Sequence, residues 1–506
     1  MAEPGKVYLV GAGPGDPGLL TLKGQRCLAE ADLVLYDGLV NSLILRHSRA
    51  EAERTCRVDT GRGKRLDQSA INDQLIEAAR AGKTVVRLKG GDPFIFGRGS
   101  EEAAALAEAG IPFEVIPGIT AATAAAEYAG ISLTHRDLAS AVAFITGHEN
   151  PGKPAQALDY EQLSRFSGTL VFYMGLHRLP QIAAALVEHG RSSTTPVAVI
   201  SRGTTPQQRT ITGTLDDIAE KVRNAALHAP SLIIVGECVL QRDRINWFES
   251  LPLFGVSIGI TRPPGQADEV IDLVLSRGGE PVLMPTMAIR PIRDWSEVDA
   301  KLDQIGEFDW IVFTSVNAVD AVFGRLWKRG GDARQLGSGR IACIGPATAE
   351  RLERFGVRAD LVPEVYRGEA LADSLAPHVK GKRVLWPRAN RGRDVLPEGL
   401  TTAGAIYEEV IVYEHQDLDA APVSVLERID GSALDWVALG SPAVARQVAD
   451  WLAGRDVANT RFAAISPVTE QAALEAGLNV DAVATEHTWA GLIRAIEETV
   501  TQGRSR

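Results

Sequence analysis

A glycine-rich turn follows the first apolar segment of the chain. Residues 7–10 form a short apolar run, and residues 11–18 read Gly-Ala-Gly-Pro-Gly-Asp-Pro-Gly. A dinucleotide-binding loop needs a third glycine where Asp16 stands, and Pro14 lacks the backbone N–H that such a loop would donate to a pyrophosphate. Asp16 would also repel that anion. The turn therefore predicts a close approach of the backbone to a ligand that is not bound through phosphate.

Two more turns of this kind follow apolar runs. Residues 87–99 read Arg-Leu-Lys-Gly-Gly-Asp-Pro-Phe-Ile-Phe-Gly-Arg-Gly, and residues 117–122 read Pro-Gly-Ile-Thr-Ala-Ala. Asp92 can accept hydrogen bonds from ribose hydroxyls, while Phe94 and Phe96 can wall an adenine or another flat ligand. Each turn alone is more typical of a structural loop. The three turns together, in this order and spacing, form a specific signature.

A carboxylate, Asp37, follows the apolar run at residues 33–36. Ligand sites of α/β proteins lie at the carboxyl ends of their strands, and a carboxylate placed there can serve as a general base. The alternative is a side chain that only stabilises the turn after the strand.

The second half contains an internal repeat whose two copies carry the same kinds of polar residue. Three pairs recur at separations of 126, 126 and 121 residues: Arg262 and Arg388, Ser315 and Ser441, Thr348 and Thr469. They supply guanidinium groups and hydroxyls, without a Ser-His-Asp set or a pair of carboxylates. Such a set is suited to holding a polyanion. Two copies indicate a duplicated α/β lobe, and similar lobes usually face each other across a ligand cleft.

Short apolar runs alternate with amphipathic stretches along the whole chain. Strands are predicted at residues 7–10, 33–36, 84–88, 113–116 and 141–146, and helices at residues 71–81 and 101–109. The alternation indicates α/β layers with largely parallel pairing. The pattern breaks at residues 242–255, before a new strand at 256–260. We therefore expect two domains, at residues 1–248 and 255–506.

The composition excludes several classes of function. With 506 residues, a net charge of −11 and 6% aromatic residues, the chain lacks the basic face and the stacking surfaces of a nucleic-acid-binding protein. Four cysteines lie far apart and nine histidines form no ligand motif, so we expect no metal. No signal core and no apolar run of 18 residues occurs, which favours a cytoplasmic protein without a membrane segment.

The first half resembles the uroporphyrinogen-III C-methyltransferase family over about residues 5–248. The likeness rests on GAGPGDPGLLT, VLYDGLV, VVRLKGGDPFIFGRG, VIPGITAA, GISLTHRD, ITGH, VFYMG and PSLIIVG. It implies a two-lobed tetrapyrrole methylase fold, often dimeric, that transfers two methyl groups from S-adenosylmethionine to C2 and C7 of uroporphyrinogen III to give precorrin-2. Asp37 matches the proton acceptor. The implied contacts with S-adenosylmethionine are Pro14, Gly90, Gly91, Asp92, Ile95, Thr120, Ala121, Met174 and Gly203.

The implied substrate carries eight carboxylates and needs positive charge around it. A basic rim for this substrate would comprise Arg62, Lys64, Arg65, Lys89, Arg98 and Arg136, since guanidinium groups bind carboxylates through two hydrogen bonds. One position departs from the family, because the lysine proposed there as proton donor falls on Asp59. Either Lys64 takes over that role through a shifted loop, or the role is missing. For residues 62–65, a solvated surface run is an equal alternative.

The second half resembles uroporphyrinogen-III synthase over about residues 256–500. The likeness rests on VFTSVNAV, CIGPATAERLERFGV, GKRVLWPRANRGRDVLPEGL, VIVYE and ISPVTEQAALEAGL. It implies a two-lobed α/β fold that cyclises hydroxymethylbilane with inversion of ring D and loss of water. Tyr413 matches the tyrosine thought to assist loss of the hydroxyl, with a structural strand residue as the equal alternative. Candidate contacts with the tetrapyrrole in the two halves are Arg98, Arg136, Arg262, Ser315, Arg388, Ser441 and Thr469.

The sequence thus predicts a bifunctional enzyme of siroheme or cobalamin precursor synthesis. The synthase half would make the substrate that the methyltransferase half consumes. Two alternatives stay open. The second half could be a tetrapyrrole-binding or interaction module without activity, or the first half could methylate a later corrin intermediate.

Overall fold

The predicted strands and helices form. The strands of the whole chain make four sheets, two in each half. The computed structural model describes residues 4–56, 64–65, 67–147, 158–391 and 395–504. Each of the five strands predicted in the first half forms within one residue of its expected ends. The helices predicted at 71–81 and 101–109 also form and are followed by Gly82 and Gly110, both at positive φ, as the glycine after a helix often is.

The first sheet is parallel throughout, in the order β4-β3-β2-β5-β1-β6. Its strands are β1 (Val7–Gly11), β2 (Leu33–Asp37), β3 (Glu51–Cys56), β4 (Lys64–Arg65), β5 (Val85–Lys89) and β6 (Phe113–Ile116). Its helices are α1 (Leu22–Ala29), α2 (Gln68–Arg80), α3 (Gly99–Glu108) and α4 (Ala121–Tyr128). Because parallel strands share one direction, their carboxyl ends and the predicted turns meet at one edge.

The second sheet departs from the expected parallel pairing. It has the order β10-β9-β11-β8-β7, and only β7 and β8 pair in parallel, while the other neighbours are antiparallel. Its strands are β7 (Val142–Thr146), β8 (Thr169–Tyr173), β9 (Pro196–Ser201), β10 (Arg209–Thr214) and β11 (Ser231–Val235). The helices are α5 (Tyr160–Arg165), α6 (Leu179–Glu188), α7 (Ile218–Asn224) and α8 (Arg242–Ile245). The alternation of strands and helices does not encode pairing direction, so it could not show that this sheet is mostly antiparallel, whereas pairing in the other three sheets is largely parallel as predicted.

The second half forms two further five-stranded sheets, with the orders β13-β12-β19-β20-β21 and β14-β18-β17-β15-β16. The strands are β12 (Ser257–Ile260), β13 (Glu280–Leu283), β14 (Met287–Pro291), β15 (Trp310–Phe313), β16 (Arg340–Cys343), β17 (Arg383–Ala389), β18 (Ile406–Asp417), β19 (Trp436–Leu439), β20 (Arg461–Ala464) and β21 (Val480–Val483). The helices are α9 (Asp268–Ser276), α10 (Ser296–Asp303), α11 (Val316–Lys328), α12 (Pro346–Glu353), α13 (Gly368–Leu375), α14 (Val395–Thr402), α15 (Val423–Asp430), α16 (Pro442–Leu452), α17 (Pro467–Glu475) and α18 (Trp489–Arg504).

The two lobes do not coincide with the two sequence repeats. The first repeat contains β12 and β15, and the second contains the equivalent strands β17 and β19. In the structure β12 pairs with β19 in the third sheet, whereas β15 pairs with β17 in the fourth. Each lobe therefore combines the first part of one repeat with the last part of the other. The antiparallel pair β14–β18 forms the edge of the fourth sheet.

No helix in the described ranges has the length and hydrophobicity to cross a bilayer. The same part of the chain contains no group of three or more His, Cys, Asp or Glu side chains arranged to hold a metal ion.

Candidate active sites

The three glycine-rich turns predicted from the sequence contact one another at the carboxyl edge of the first sheet. Gly91 N donates to Gly13 O at 2.8 Å, and Gly13 N donates to Gly91 O at 3.2 Å. A Cβ atom added to Gly118 would lie 2.3 Å from Gly91 O and 2.6 Å from the Cα of Gly11. Only a glycine at position 118 lets the third turn approach the other two this closely.

Asp92 ties the second turn to the third. Its Oδ1 atom accepts from the backbone N–H groups of Phe94 and Ile95 at 2.8 and 3.2 Å, and its Oδ2 atom accepts from Gly118 N at 3.0 Å. A carboxylate offers about four lone-pair positions, so three of them organise the loops. The predicted contact with ribose hydroxyls would use the remaining position.

The second sheet closes one side of this cleft through Tyr173, which the sequence analysis did not single out. Its hydroxyl lies 2.6 Å from Thr120 Oγ1 and accepts from Ala122 N at 2.9 Å. The ring packs on Phe96, with centroids 4.8 Å apart. Burial raises the pKa of Tyr173, so the hydroxyl stays protonated and can donate to Thr120. The motif VFYMG contained this residue, and its position before Met174 was the available signal.

The first turn also meets the loop after β9. Asp16 N donates to Thr204 Oγ1 at 3.0 Å. A Cβ atom on Gly203 would lie 2.4 Å from the Cβ of Ala125, and one on Gly15 would lie 2.6 Å from Thr205 Cγ2. Gly15 is therefore needed where the first turn meets the loop after β9, and Gly203 is needed where that loop packs on α4.

Eight of the nine residues assigned to S-adenosylmethionine by resemblance lie on the loops that follow β1, β5, β6, β8 and β9. The ninth, Ala121, is the first residue of α4, directly after the loop that follows β6. Met174 has a positive φ of 55° and is 51% exposed, although it is a large apolar residue. Exposed apolar side chains that accompany it are Leu39, Phe94, Ile95, Phe96 and Phe144. Apolar groups left exposed at the mouth of a cleft are typical of a ligand site.

Asp37 lies at the edge of a buried network of four charges. The guanidinium of Arg87 donates to Asp37 Oδ1 through Nη2 and to Glu102 Oε1 through Nε at 3.1 Å. Lys89 Nζ lies 3.0 Å from both oxygens of Glu102, donating to Oε1, and 3.9 Å from Asp37 Oδ2. The side chains of Arg87 and Glu102 are fully buried, and that of Asp37 is 23% exposed. Burial lowers the pKa of Lys89, and the charge of Arg87 lowers it further.

The prediction that Lys89 belongs to a basic rim around the substrate is wrong. Its side chain is buried and paired with Glu102, so it cannot face the substrate directly. Arg98 begins α3 and forms a two-point ion pair with Glu101, at 2.7 and 2.5 Å. Arg136 is exposed in the turn between α4 and β7. For these two arginines, substrate contact stays a prediction.

The position of Lys64 is described by its backbone alone. Lys64 pairs with Thr55 in the first sheet, and Thr55 pairs with Asp37. Neighbouring strands lie about 4.8 Å apart, so Lys64 is two strands from the proposed base, about 10 Å away. Its side chain, together with Asp59 and Arg62, lies outside the described residues.

In the second half the structure brings two predicted residues together. Tyr413, in β18, is buried, and its hydroxyl lies 2.9 Å from Ser315 Oγ. Ser315 also caps α11 by accepting from Ala318 N at 3.1 Å, and Ser441 caps α16 in the same way, at 3.3 Å from Val444 N. The two serines therefore hold equivalent places at helix starts in the two lobes. His415 follows Tyr413 by two residues in β18, and its ring packs edge-on against the Tyr413 ring, with centroids 5.3 Å apart.

The two repeated arginines both lie over tryptophan rings. Arg388 stacks over Trp386 at 4.4 Å and donates to Glu409 at 2.8 Å, while Arg262 lies 5.7 Å from Trp489. Burial lowers the pKa of Arg262. Neither tryptophan was predicted as part of a site, although Trp386 stands in the repeated segment itself.

Thr469 has no exposed surface, and its hydroxyl lies 3.1 Å from Ser466 Oγ at the start of α17. In this structure it supports a helix start and does not reach the surface that a substrate would contact.

Comparison with known proteins assigns the two halves to two families. Residues 6–219 match the family of tetrapyrrole (corrin/porphyrin) methylases, and residues 268–494 match uroporphyrinogen-III synthase HemD. The porphyrin biosynthesis protein HemD of Ruminiclostridium josui is 36% identical over 415 residues, which cover 81% of this chain and 82% of that protein. Both enzyme classes expected from the sequence are thereby confirmed.

Further similarities cover the first half alone. The siroheme synthase of Pseudomonas fluorescens SBW25 is 54% identical over 246 residues, 49% of this chain and 53% of that protein. The chain therefore spans about half the length of that relative. A solved uroporphyrin III C-methyl transferase from Thermus thermophilus is 40% identical, with a TM-score of 0.40, over 46% of this chain and 93% of that one. The match along most of the R. josui protein shows that the chain belongs to the family of that porphyrin biosynthesis protein, with a tetrapyrrole methylase in its first half and a uroporphyrinogen-III synthase in its second.

Proposed function

We propose that this chain converts hydroxymethylbilane into precorrin-2 in two stages, as a step towards siroheme or cobalamin. The C-terminal half cyclises hydroxymethylbilane to uroporphyrinogen III, with inversion of ring D and loss of water. The N-terminal half then methylates C2 and C7 of that product. The observation that carries the proposal is the meeting of three glycine-rich turns beside Asp37 in a chain whose second half is a uroporphyrinogen-III synthase.

Two features of the first half support S-adenosylmethionine as the group bound in its cleft. The contact of Gly118 with Gly11 and Gly91 leaves backbone in place of side chains on the inner wall. Exposed Ile95 and Met174 provide apolar surface for the adenine and the aliphatic part of the methionine chain. When bound, S-adenosylmethionine supplies an electrophilic methyl group. The protein mainly has to align the ring carbon with that group and exclude water.

Asp37 is the proposed base of the methyltransferase half. The ring carbon that gains a methyl group must lose a proton, and Asp37 accepts it through a carboxylate oxygen. Arg87 holds Oδ1, so the carboxylate keeps one orientation at the end of β2. Lys89 lies 3.9 Å from Oδ2, close enough to stabilise negative charge on it. Lys64 is the candidate proton donor, proposed from its register with Asp37.

In the synthase half, Tyr413 and Ser315 are the proposed catalytic pair. The Tyr413 hydroxyl can donate to the departing hydroxyl of hydroxymethylbilane while Ser315 Oγ, at 2.9 Å, orients it. Arg262 and Arg388 lie at equivalent places in the two lobes and are proposed to hold substrate carboxylates, with Ser441 beside Arg262 in the same lobe. This arrangement constrains a reactive open chain so that it closes in one way.

The remaining parts of the proposal concern the state of the protein in the cell. We propose that it acts in the cytoplasm on small tetrapyrrole substrates, without a metal of its own, and forms a homodimer through the methyltransferase half. Sedimentation of the full chain beside a fragment of residues 255–506 would test the last point. A dimeric full chain and a monomeric fragment are expected.

The decisive experiment supplies the full chain with enzymatically generated hydroxymethylbilane and S-adenosylmethionine, then separates the oxidised products by chromatography and mass. A dimethylated type III product is expected, and uroporphyrin III alone is expected when S-adenosylmethionine is left out. If only the type I macrocycle of spontaneous closure forms, the second half does not catalyse the cyclisation and is either a binding module or inactive. If supplied uroporphyrinogen III stays unmethylated while a later corrin precursor gains a methyl group, the first half has a different substrate.

A further inference from the structure

The cations around Asp37 are mostly occupied by acidic groups of the protein itself. Arg87 and Lys89 are buried and share Asp37 and Glu102. Arg98, at the surface, is paired with Glu101. A substrate with eight carboxylates can therefore use a positive group at this edge of the sheet in addition to the predicted contacts Arg98 and Arg136.

Arg54 is positioned to supply that group. It lies in β3, opposite Tyr36 of β2, one residue before the position that pairs with Asp37. Its Nη2 atom donates to Gly38 O at 3.0 Å, directly after Asp37 in the chain. The guanidinium also lies over Gly38, because a Cβ atom there would be 3.3 Å from Nη2 and 3.7 Å from Nε. The absence of a side chain at position 38 thus lets Arg54 reach the carboxyl edge of the sheet.

The guanidinium of Arg54 is not neutralised within the part of the chain that the structure describes. No acidic side chain there pairs with it, and the neighbouring Glu53 accepts instead from Gln74 at 2.7 Å. Arg54 is half-buried, and apart from the bond to Gly38 its N–H groups have no hydrogen-bond partner among the described residues. A guanidinium has five N–H donors, and a single carbonyl contact leaves enough of them to bind a carboxylate at two points.

We propose that Arg54 binds a carboxylate of the tetrapyrrole beside the ring that is methylated, and so determines how that ring is presented to Asp37. The inference rests on the proposed methyltransferase function, whose substrate it assumes. Arg54 acts in binding and orientation, and it takes no part in bond making. Its contact with Gly38 fixes the guanidinium before the substrate arrives.

The test compares Arg54→Gln with Arg49→Gln in the full-length enzyme. Arg49 is exposed and precedes the opposite end of β3, so both variants lose one positive charge from the same region. With supplied uroporphyrinogen III, Arg54→Gln is expected to raise the KM for this substrate about tenfold, the effect of losing one partly exposed charge-assisted contact. The kcat and the KM for S-adenosylmethionine should change less than about twofold, as should all constants of Arg49→Gln.

A third variant, Arg54→Lys, keeps the charge but loses the planar fork, and it should fall between the wild type and Arg54→Gln. An unchanged KM for uroporphyrinogen III in Arg54→Gln, or an equal rise in Arg49→Gln, would overturn the proposal. A loss of kcat together with weaker use of S-adenosylmethionine would also overturn it, because it would show that Arg54 only supports the turn after Asp37. Failure of the wild type to methylate uroporphyrinogen III would instead refute the proposed function.

Discussion

The buried charges around Asp37 make a sharp prediction for Glu102→Gln. Glu102 is buried in α3 and contacts both Arg87 and Lys89, and Gln68 donates to it at 3.1 Å. Glutamine has nearly the same shape and keeps a carbonyl acceptor for Gln68. The substitution therefore removes one negative charge while leaving the packing intact. Two buried cations then remain beside a single carboxylate, that of Asp37.

The size of the effect follows from the distances. An attraction between unit charges about 3 Å apart is worth about 5 kcal/mol at an effective dielectric constant of about 20, and Glu102 makes two such contacts. Several kcal/mol of desolvation, which a neutral glutamine avoids, offset much of this sum. Breaking a buried ion pair typically costs about 3–5 kcal/mol, and we expect a loss of that size in the unfolding free energy of the first half.

The dependence on pH gives the prediction its sign. The folded pKa of Lys89 is lowered by burial and by Arg87, and loss of Glu102 removes a charge that raises it. Between this lowered value and the unfolded value of about 10.4, the unfolded chain binds more protons, so stability rises with pH. The cost of burying charged Lys89 without Glu102 is fully present below the folded pKa of Lys89. It is relieved at higher pH, as Lys89 loses its proton. The deficit of Glu102→Gln should therefore be largest near neutral pH and shrink towards pH 10.

The assay must report on the first half alone. Samples equilibrated along a urea series at each pH receive an identical pulse of deuterium, and mass spectrometry follows peptides that cover β2 and β5. The matched control is Glu108→Gln, an exposed position on the same helix, which should change the unfolding free energy by less than about 0.5 kcal/mol. A deficit no larger than that of the control, or one that grows with pH, would refute the reasoning.

Three further predictions concern the separate activities. Asp37→Asn should lower the rate of uroporphyrinogen III methylation by about 10²–10⁴-fold, the usual contribution of a general base, and leave the synthase rate unchanged; a methylation rate within tenfold of wild type would exclude Asp37 as the base. Tyr413→Phe should slow formation of uroporphyrinogen III from hydroxymethylbilane by at least about 10²-fold. Ser315→Ala should lower the unfolding free energy by about 1 kcal/mol, because it removes a helix cap as well as the contact with Tyr413. Equal synthase rates for Tyr413→Phe and wild type would assign Tyr413 to the fold alone. Gly118→Ala places a Cβ atom 2.3 Å from Gly91 O, so binding of S-adenosylhomocysteine measured by calorimetry should weaken at least about tenfold while the synthase rate stays constant. Unchanged binding would show that the three turns do not form the cofactor site.

Much of the first half followed from local sequence. Short strands such as Val7–Gly11 are largely buried and apolar on both faces, so their ends could be placed within one residue. The turns at Gly91 and Gly118 were recognisable because backbones that approach closely require glycine. The direction of pairing in the second sheet could not be derived, since it depends on which strands meet and not on the pattern within each strand.

The network around Asp37 shows a second kind of limit. The motif at residues 87–92 displayed Arg87 and Lys89 as charged residues near a turn, and a basic rim was the natural expectation for Lys89. Both side chains are buried in the structure. Their strand, β5, lies between β1 and β2 in the sheet, and α3 places Glu102 against them. Their partners lie in different elements, which no local pattern identifies.

The sequence by itself determined the two halves, the glycine-rich turns, the carboxylate at Asp37 and the existence of a repeat in the second half. Only the tertiary structure decided how that repeat is used. Because β12 pairs with β19 and β15 with β17, each repeat is divided between two lobes, and Ser315 comes to lie beside Tyr413. The physical reason is that propensity, patterning and turn chemistry act over a few residues, whereas strand pairing and burial of charge are settled by contacts between distant parts of the chain.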